Sequence, residues 1–198
     1  MKKLLAAFAL LITAGCATLG PTAEAPFIAN LLSGHCGQAY EGRIVSPLTA
    51  ADSSFAGKRL VMHVRECSAD TVRIPFHVGD DCSRTWVITR TPSGYRLKHD
   101  HRHEDGSEDK LSQYGGDSIA PGTATPQEFP ADDFTKALLV REGNTAGVAN
   151  VWAIEIHPRR MFAYELRRPG RFFRVEFDLT RPIAPPPPPW GAALGSDR

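Results

Sequence analysis

The sequence has almost no net charge and lacks the short motifs of several common enzyme classes. Its 23 Lys and Arg residues and 22 Asp and Glu residues leave a formal net charge of +1. This balance gives no electrostatic attraction to nucleic acid, so that class of partner is excluded. The chain also has no Gly-rich phosphate loop, no nucleophile elbow, no Cys-x-x-Cys pair and no internal repeat.

The first residues have the pattern of an export signal. A basic start, Met1-Lys2-Lys3, precedes an apolar run from Leu4 to Ile12 that is too short to cross a bilayer as a helix. If Lys2 and Lys3 leave with this segment, 21 basic residues face 22 acidic residues and the net charge becomes −1.

The residues that follow, Thr13-Ala14-Gly15-Cys16, resemble the lipobox of bacterial lipoproteins, with Thr13 where that family usually has Leu. The resemblance implies a signal peptide over 1–15, a lipidated Cys16 and a lipid-anchored tether over 16–32. Ala17, in place of Asp after the cysteine, implies an outer-membrane lipoprotein that faces the periplasm, with the membrane as its partner through the lipid anchor. Ordinary signal cleavage without lipidation is the alternative.

The central part of the chain, residues 33–180, has the alternation of apolar and polar residues that is typical of β-strands. Short turn-rich links separate the strands, and Asp132 to Arg141 is the one predicted helix. We expect a mostly β fold: an antiparallel up-and-down barrel or strongly curved sheet of about 8–10 strands with one short helix. The Pro-rich segment over 181–198 is expected to be a disordered tail.

This order of elements, with a short helix before the last strands, resembles the calycin barrels, which include lipocalins and nitrobindins. Cys36 stands where the Trp of their Gly-x-Trp signature would be. The resemblance implies a cup-shaped interior for a small apolar or haem-like ligand.

Three histidines, His99, His101 and His103, occupy alternate positions of one predicted strand. Alternate side chains of a strand share a face, so the three point the same way as Tyr95 and Leu97. The opposite face carries charges of alternating sign, like a solvated surface. The imidazoles are therefore predicted to face the barrel interior.

Two registers of the hairpin after these histidines remain open. A turn through Glu104, Asp105 and a left-handed Gly106 gives four cross-strand pairs: Arg102 with Glu108, Asp100 with Lys110, His101 with Asp109 and His99 with Leu111. A two-residue turn instead pairs His103 with Glu108 inside the barrel and turns Lys110 inward. Either register places an inward carboxylate, Asp109 or Glu108, opposite a histidine.

Three interpretations of the histidine face follow. The residues form a hydrogen-bonded row of neutral histidines, line a pocket for an organic ligand, or hold a divalent metal ion. One ion can bind His99 with His101, or His101 with His103, but not all three, because positions i and i+4 of a strand lie about 13 Å apart. The corresponding functions are non-catalytic ligand binding or a structural role at the envelope, with no catalytic residue assigned. The alternative is a metal-dependent enzyme that uses two of the histidines with Asp109 or Glu108.

The remaining cysteines predict a disulfide. With Cys16 lipidated, Cys36, Cys67 and Cys82 remain in an oxidising compartment. Alternating strand directions place Cys36 and Cys67 at the same end of the sheet, so these two are predicted to bond and to leave Cys82 as a free thiol.

Two further groups of polar residues are predicted to be exposed. His63, His77 and His157 lie opposite the main apolar sets of their strands. Five arginines crowd the last two turns, where they are either ordinary solvated residues or a patch that contacts phosphate-bearing lipid or polysaccharide: Arg159, Arg160, Arg167, Arg168 and Arg171.

Overall fold

The structure is a computed structural model that describes residues 31–32, 34–118 and 126–192. The predicted signal peptide and Cys16 lie outside the described residues, as does most of the tether.

The described residues form eleven strands, a nine-residue α-helix and two short 3-10 helices, and residues 31–32 and 34–35, before the first strand, are also helical. The strands are β1 (Ala39–Ile44), β2 (Leu60–His63), β3 (Glu66–Cys67), β4 (Thr71–Val78), β5 (Asp81–Thr91), β6 (Gly94–His101), β7 (Tyr114–Asp117), β8 (Gln127–Pro130), β9 (Val151–His157), β10 (Met161–Arg168) and β11 (Arg171–Ile183). Helix α1 spans Asp133–Arg141, and the 3-10 helices span Ala50–Asp52 and Thr145–Ala149.

The strands form one antiparallel, nearly closed barrel, which confirms the predicted fold class. Ten strands follow the order β7-β6-β5-β4-β2-β1-β11-β10-β9-β8, and β3 pairs with β4 beside this path. Most neighbours in the sheet are also neighbours in the chain. There are two exceptions: β2 pairs with β4, because the short β3 lies to one side, and β1 pairs with β11, which brings the first and last strands together.

The barrel interior is filled mainly by aromatic and branched side chains from alternate strand positions. The largest fully buried side chains include Trp86, Trp152, Tyr40, Phe162 and Phe177. At Gly42 of β1 there is no space for a side chain, since a Cβ would lie 2.5 Å from the Phe177 ring.

The gap between the two end strands, β7 and β8, is bridged by the start of α1. Thr135 Oγ1 accepts from the Gly115 amide at 2.7 Å and donates to the Gly115 carbonyl at 2.8 Å. Asp132 caps the helix by accepting from the Thr135 amide, and it also accepts from Lys98 Nζ of β6 at 2.6 Å. A Cβ at Gly116 would lie 1.8 Å from the Pro130 carbonyl oxygen, so only glycine permits this approach.

The segment after the histidine hairpin differs from the prediction. Arg102 does bridge Glu108, Gly106 is left-handed with φ of 85°, and the Asp109 amide donates to the His101 carbonyl, as the three-residue turn requires. His99, however, pairs with Tyr114 and not with Leu111. Residues 110–113 leave the ladder, and Gln113 returns the chain to it with a φ of 59°.

The C-terminal segment differs from the predicted disordered tail over residues 181–192. Strand β11 continues to Ile183, and Pro182 pairs with Tyr40 beside a β-bulge, a position where a missing amide is tolerated. Beyond the strand, Pro189 is buried and the Trp190 amide donates to the Cys82 carbonyl at 3.1 Å.

The prediction that His63 and His77 are exposed is wrong, since only 8% and 3% of their surfaces are accessible. His77 Nδ1 lies 3.0 Å from the Cys82 sulfur. Burial and the nearby His63 lower the pKa of His77 to about 4, and burial with Asp81 and Asp80 raises the pKa of the Cys82 thiol. His157 is partly exposed and bonds Glu155.

Cys36 and Cys67 form a disulfide with a Cα–Cα distance of 6.3 Å, and Cys82 is unbonded. The bridge connects the segment before β1 to β3 at the end of the barrel away from the β4–β5 turn.

Removing the disulfide should destabilise the fold. For the double change Cys36→Ser and Cys67→Ser we expect the free energy of unfolding to fall by about 3–4 kcal/mol, because the unfolded chain regains the entropy of an open loop. Urea denaturation checks this value. Cys82→Ser is the matched control and should unfold near the wild-type midpoint; equal midpoints for all three proteins would contradict the prediction.

Candidate functional site

Five chain connections meet at one end of the barrel, which we call the mouth. They are the β1–β2, β4–β5, β6–β7, β8–β9 and β10–β11 connections, which lie together because successive strands run in opposite directions. A cavity of about 280 Å³ opens there into the barrel, and we call it the barrel pocket. Its volume lies near the lower end of the range for small-molecule sites, roughly 300–1,000 Å³.

The floor and walls of the barrel pocket are aromatic. The Trp86 ring stacks on Tyr164 and on Phe76 with centroid distances of 4.4 Å and 4.7 Å. Trp152 and Phe173 complete this surface from β9 and β11. The arrangement offers flat apolar faces to a bound molecule.

His99 lies in the pocket wall with both ring nitrogens bonded. Its Nδ1 is 3.1 Å from the Tyr114 carbonyl, and its Nε2 is 2.8 Å from the Tyr164 hydroxyl. A carbonyl only accepts, so Nδ1 carries the proton and Nε2 accepts from Tyr164. Burial, then the nearby His101, lowers the pKa of His99 to about 3, so the ring is neutral at pH 7.

His101 also lines the pocket, closer to the mouth. Its Nε2 lies 3.1 Å from the Tyr114 hydroxyl, and Tyr114 in turn stacks on His99 with a centroid distance of 4.4 Å. Burial, then the Arg84 charge, lowers the pKa of His101 to about 4. Burial raises the pKa of Tyr114 to about 12, so this group of residues is uncharged.

The third histidine does not join the other two. His103 lies beyond the end of β6 with 55% of its side chain exposed, and its Nε2 is 3.6 Å from Asp109 Oδ2. The two candidate acids are also separated: Asp109 lines the pocket, while Glu108 accepts from Gln113 on the outside. The described part of the chain contains no group of three His, Cys, Asp or Glu residues placed to hold a metal ion.

The pocket also contains three arginines that the sequence interpretation does not assign to it. Arg84, Arg168 and Arg171 all line the pocket. The sequence pattern indicates this position for two of them, because alternate residues of a strand share a face. Arg168 is the next alternate position after Phe162, Tyr164 and Leu166, and Arg171 is the alternate position before Phe173.

The described residues that line the pocket include no Ser, Thr, Cys or Lys. The surface therefore provides neutral imidazoles, phenols and guanidinium groups, together with the amides of Asn144 and Asn150 and the carboxylate of Asp109. These groups can donate hydrogen bonds to a bound molecule or accept them from it.

No family model, curated protein or solved structure matches this chain. Within the described ranges, no helix has the length and apolar character needed to cross a membrane.

The buried histidines should make stability depend on pH. The unfolded chain protonates His99 near pH 6.5 but the folded protein only near pH 3, so the free energy of unfolding falls as the pH is lowered from 7 to 5. For His99→Gln we expect this fall to be smaller than in the wild type by about 2 kcal/mol. Urea denaturation at both pH values measures it.

His103→Gln is the matched control, because it makes the same substitution at the exposed histidine four residues further along the chain. It should keep the wild-type difference between pH 7 and pH 5. An unchanged difference in His99→Gln would show that His99 is not held neutral.

Proposed function

We propose that this protein is an envelope lipoprotein whose barrel binds a small organic ligand without transforming it chemically. The barrel pocket, with aromatic walls and a polar mouth, is the observation that carries the proposal. Ligand sites are typically concave and mostly apolar, with a few placed polar groups. The antiparallel barrel fits a calycin-like fold, in which ligands enter through one open end.

The polar groups of the pocket support binding because their positions are already fixed. His99 is held by a backbone carbonyl and by Tyr164, and Tyr114 is held between His99 and His101. A ligand that enters this site finds its polar partners ordered, so little additional entropy is lost on binding.

The metal-dependent alternative has less support from the geometry. His99 would have to give up its bond to Tyr164 before Nε2 could bind a metal ion, and His103 lies on the exposed turn.

Export to the envelope is supported by the disulfide between Cys36 and Cys67, because such bonds persist mainly in oxidising compartments. Cys16 then supplies the lipid anchor, and Ala17 favours the outer membrane, with the barrel facing the periplasm.

Filling the pocket should weaken ligand binding at least tenfold. Leu166 is partly buried and lines the pocket, so Leu166→Trp replaces an isobutyl group by the larger indole ring in the cavity. Ligand-observed NMR with a panel of small aromatic compounds, neutral and charged, should show binding to the wild type and at least tenfold weaker binding to this variant.

Phe172→Trp is the matched control, since Phe172 lies on β11 with 43% of its surface exposed. It should bind like the wild type. If Leu166→Trp keeps its fold by circular dichroism and binds the compounds as tightly as the wild type, the ligand does not bind in the barrel pocket.

Lipidation is tested separately in bacterial cells that express the full chain. We expect metabolic labelling with radioactive palmitate to mark the protein, and the label to disappear in Cys16→Ser. Cys82→Ser should keep the label. An unlabelled wild-type protein with a processed N-terminus would indicate ordinary signal cleavage.

A further inference from the structure

Two arginines face each other directly at the mouth of the barrel pocket. Arg168, the last residue of β10, pairs with Arg171, the first residue of β11, across a two-residue turn. Both belong to the inward-facing set of their strands and line the pocket. Like charges at directly opposed positions destabilise a sheet, so this pair calls for a compensating anion.

One carboxylate forms a direct ion pair with Arg171. Asp52, in the first 3-10 helix, is fully buried and accepts from Arg171 Nη2 at 2.5 Å. Its other oxygen accepts from the amide and the hydroxyl of Thr49, at 3.0 Å and 2.6 Å. Both carboxylate oxygens of Asp52 therefore already accept hydrogen bonds. Arg171 Nε is still buried without a hydrogen-bond partner.

Arg168 has no such partner. Its Nη1 donates to Asn150 Oδ1 at 3.1 Å, and within the described part of the chain it forms no ion pair. Burial and the neighbouring Arg171 lower the pKa of Arg168, and the charge of Asp52 offsets this effect only in part. The third arginine of the mouth, Arg84, is already bonded to Asp81 and lies over the Phe55 ring.

Among the described residues, the one acid that lines the pocket lies on another side of the mouth. Asp109 belongs to the β6–β7 connection, where it contacts His103. Negative charge is therefore favoured at the β10–β11 side of the pocket and disfavoured near Asp109.

We propose that the ligand of the barrel pocket is a small organic anion, whose acidic group binds between Arg168 and Arg171 while its apolar body packs on Trp86, Trp152 and Tyr164. The inference rests on the proposed function, since it names the chemical class that the same pocket accepts. Guanidinium groups suit this role because their fixed donors match the oxygens of a carboxylate or phosphate group.

The test compares acids with neutral molecules of the same shape. Isothermal titration at pH 7 uses three pairs: benzoate and benzamide, phenylacetate and phenylacetamide, and hexanoate and hexanamide. We expect at least one acid to bind at least tenfold more tightly than its amide. Arg168→Gln should remove this preference, and Arg168→Lys should restore part of it.

Arg167→Gln is the matched control, because Arg167 is the preceding residue and pairs with Glu128. It should keep the preference for acids. Arg168 is the residue to change because its loss leaves no buried carboxylate without an ion pair. Loss of Arg171 would leave the buried Asp52 carboxylate unpaired, which would destabilise the fold.

The outcomes separate the two proposals. Amides that bind as tightly as the acids, or a preference for acids that survives in Arg168→Gln, would overturn the anionic ligand and leave the pocket as a binding site. Failure of every acid and every amide to bind the wild-type protein would count against both.

Discussion

The hydrogen bond between His99 and Tyr164 is the constraint around which the barrel pocket is built. It joins β6 to β10, two strands that are not neighbours in the sheet. An unpaired imidazole inside a protein is costly, so each nitrogen of His99 must find a partner. These two hydrogen bonds fix the positions of Tyr164 and of the Tyr114 carbonyl. The Tyr114 ring then stacks on His99 and its hydroxyl contacts His101, which completes the polar wall of the pocket.

Much of the fold could be predicted from the sequence, because local rules decide it. Alternation of apolar residues indicates most strands, Asp132 marks the start of α1, and Gly106 fixes the hairpin turn. These local rules fail where contacts between residues far apart in the chain determine the secondary structure. Strand β7 lies in a stretch that reads as a loop, and Thr135 of α1 supplies the hydrogen bonds that hold Gly115 in place.

The candidate site could be predicted only in part from the sequence, for the same reason. Alternation correctly turns His99 and His101 inward, but β6 ends at His101, so His103 follows the turn outward. The sequence interpretation puts Arg168 and Arg171 at exposed turns, either as solvated residues or in a surface patch, although the alternation of their own strands points them into the pocket. The position of His77 opposite the main apolar set of its strand predicts exposure, whereas the structure buries this residue beside Cys82.

The mouth of the barrel draws many of its polar residues from connections, since Asp52, Asp109, Asn144 and Asn150 all lie between strands. Part of the polar surface of the mouth is thus encoded outside the strands, while Arg84, Arg168 and Arg171 lie on them. A substitution at one of these connection residues changes the polar lining of the mouth without removing a residue from a strand ladder. Such a division allows the surface of the mouth to diverge through evolution while the barrel itself is preserved.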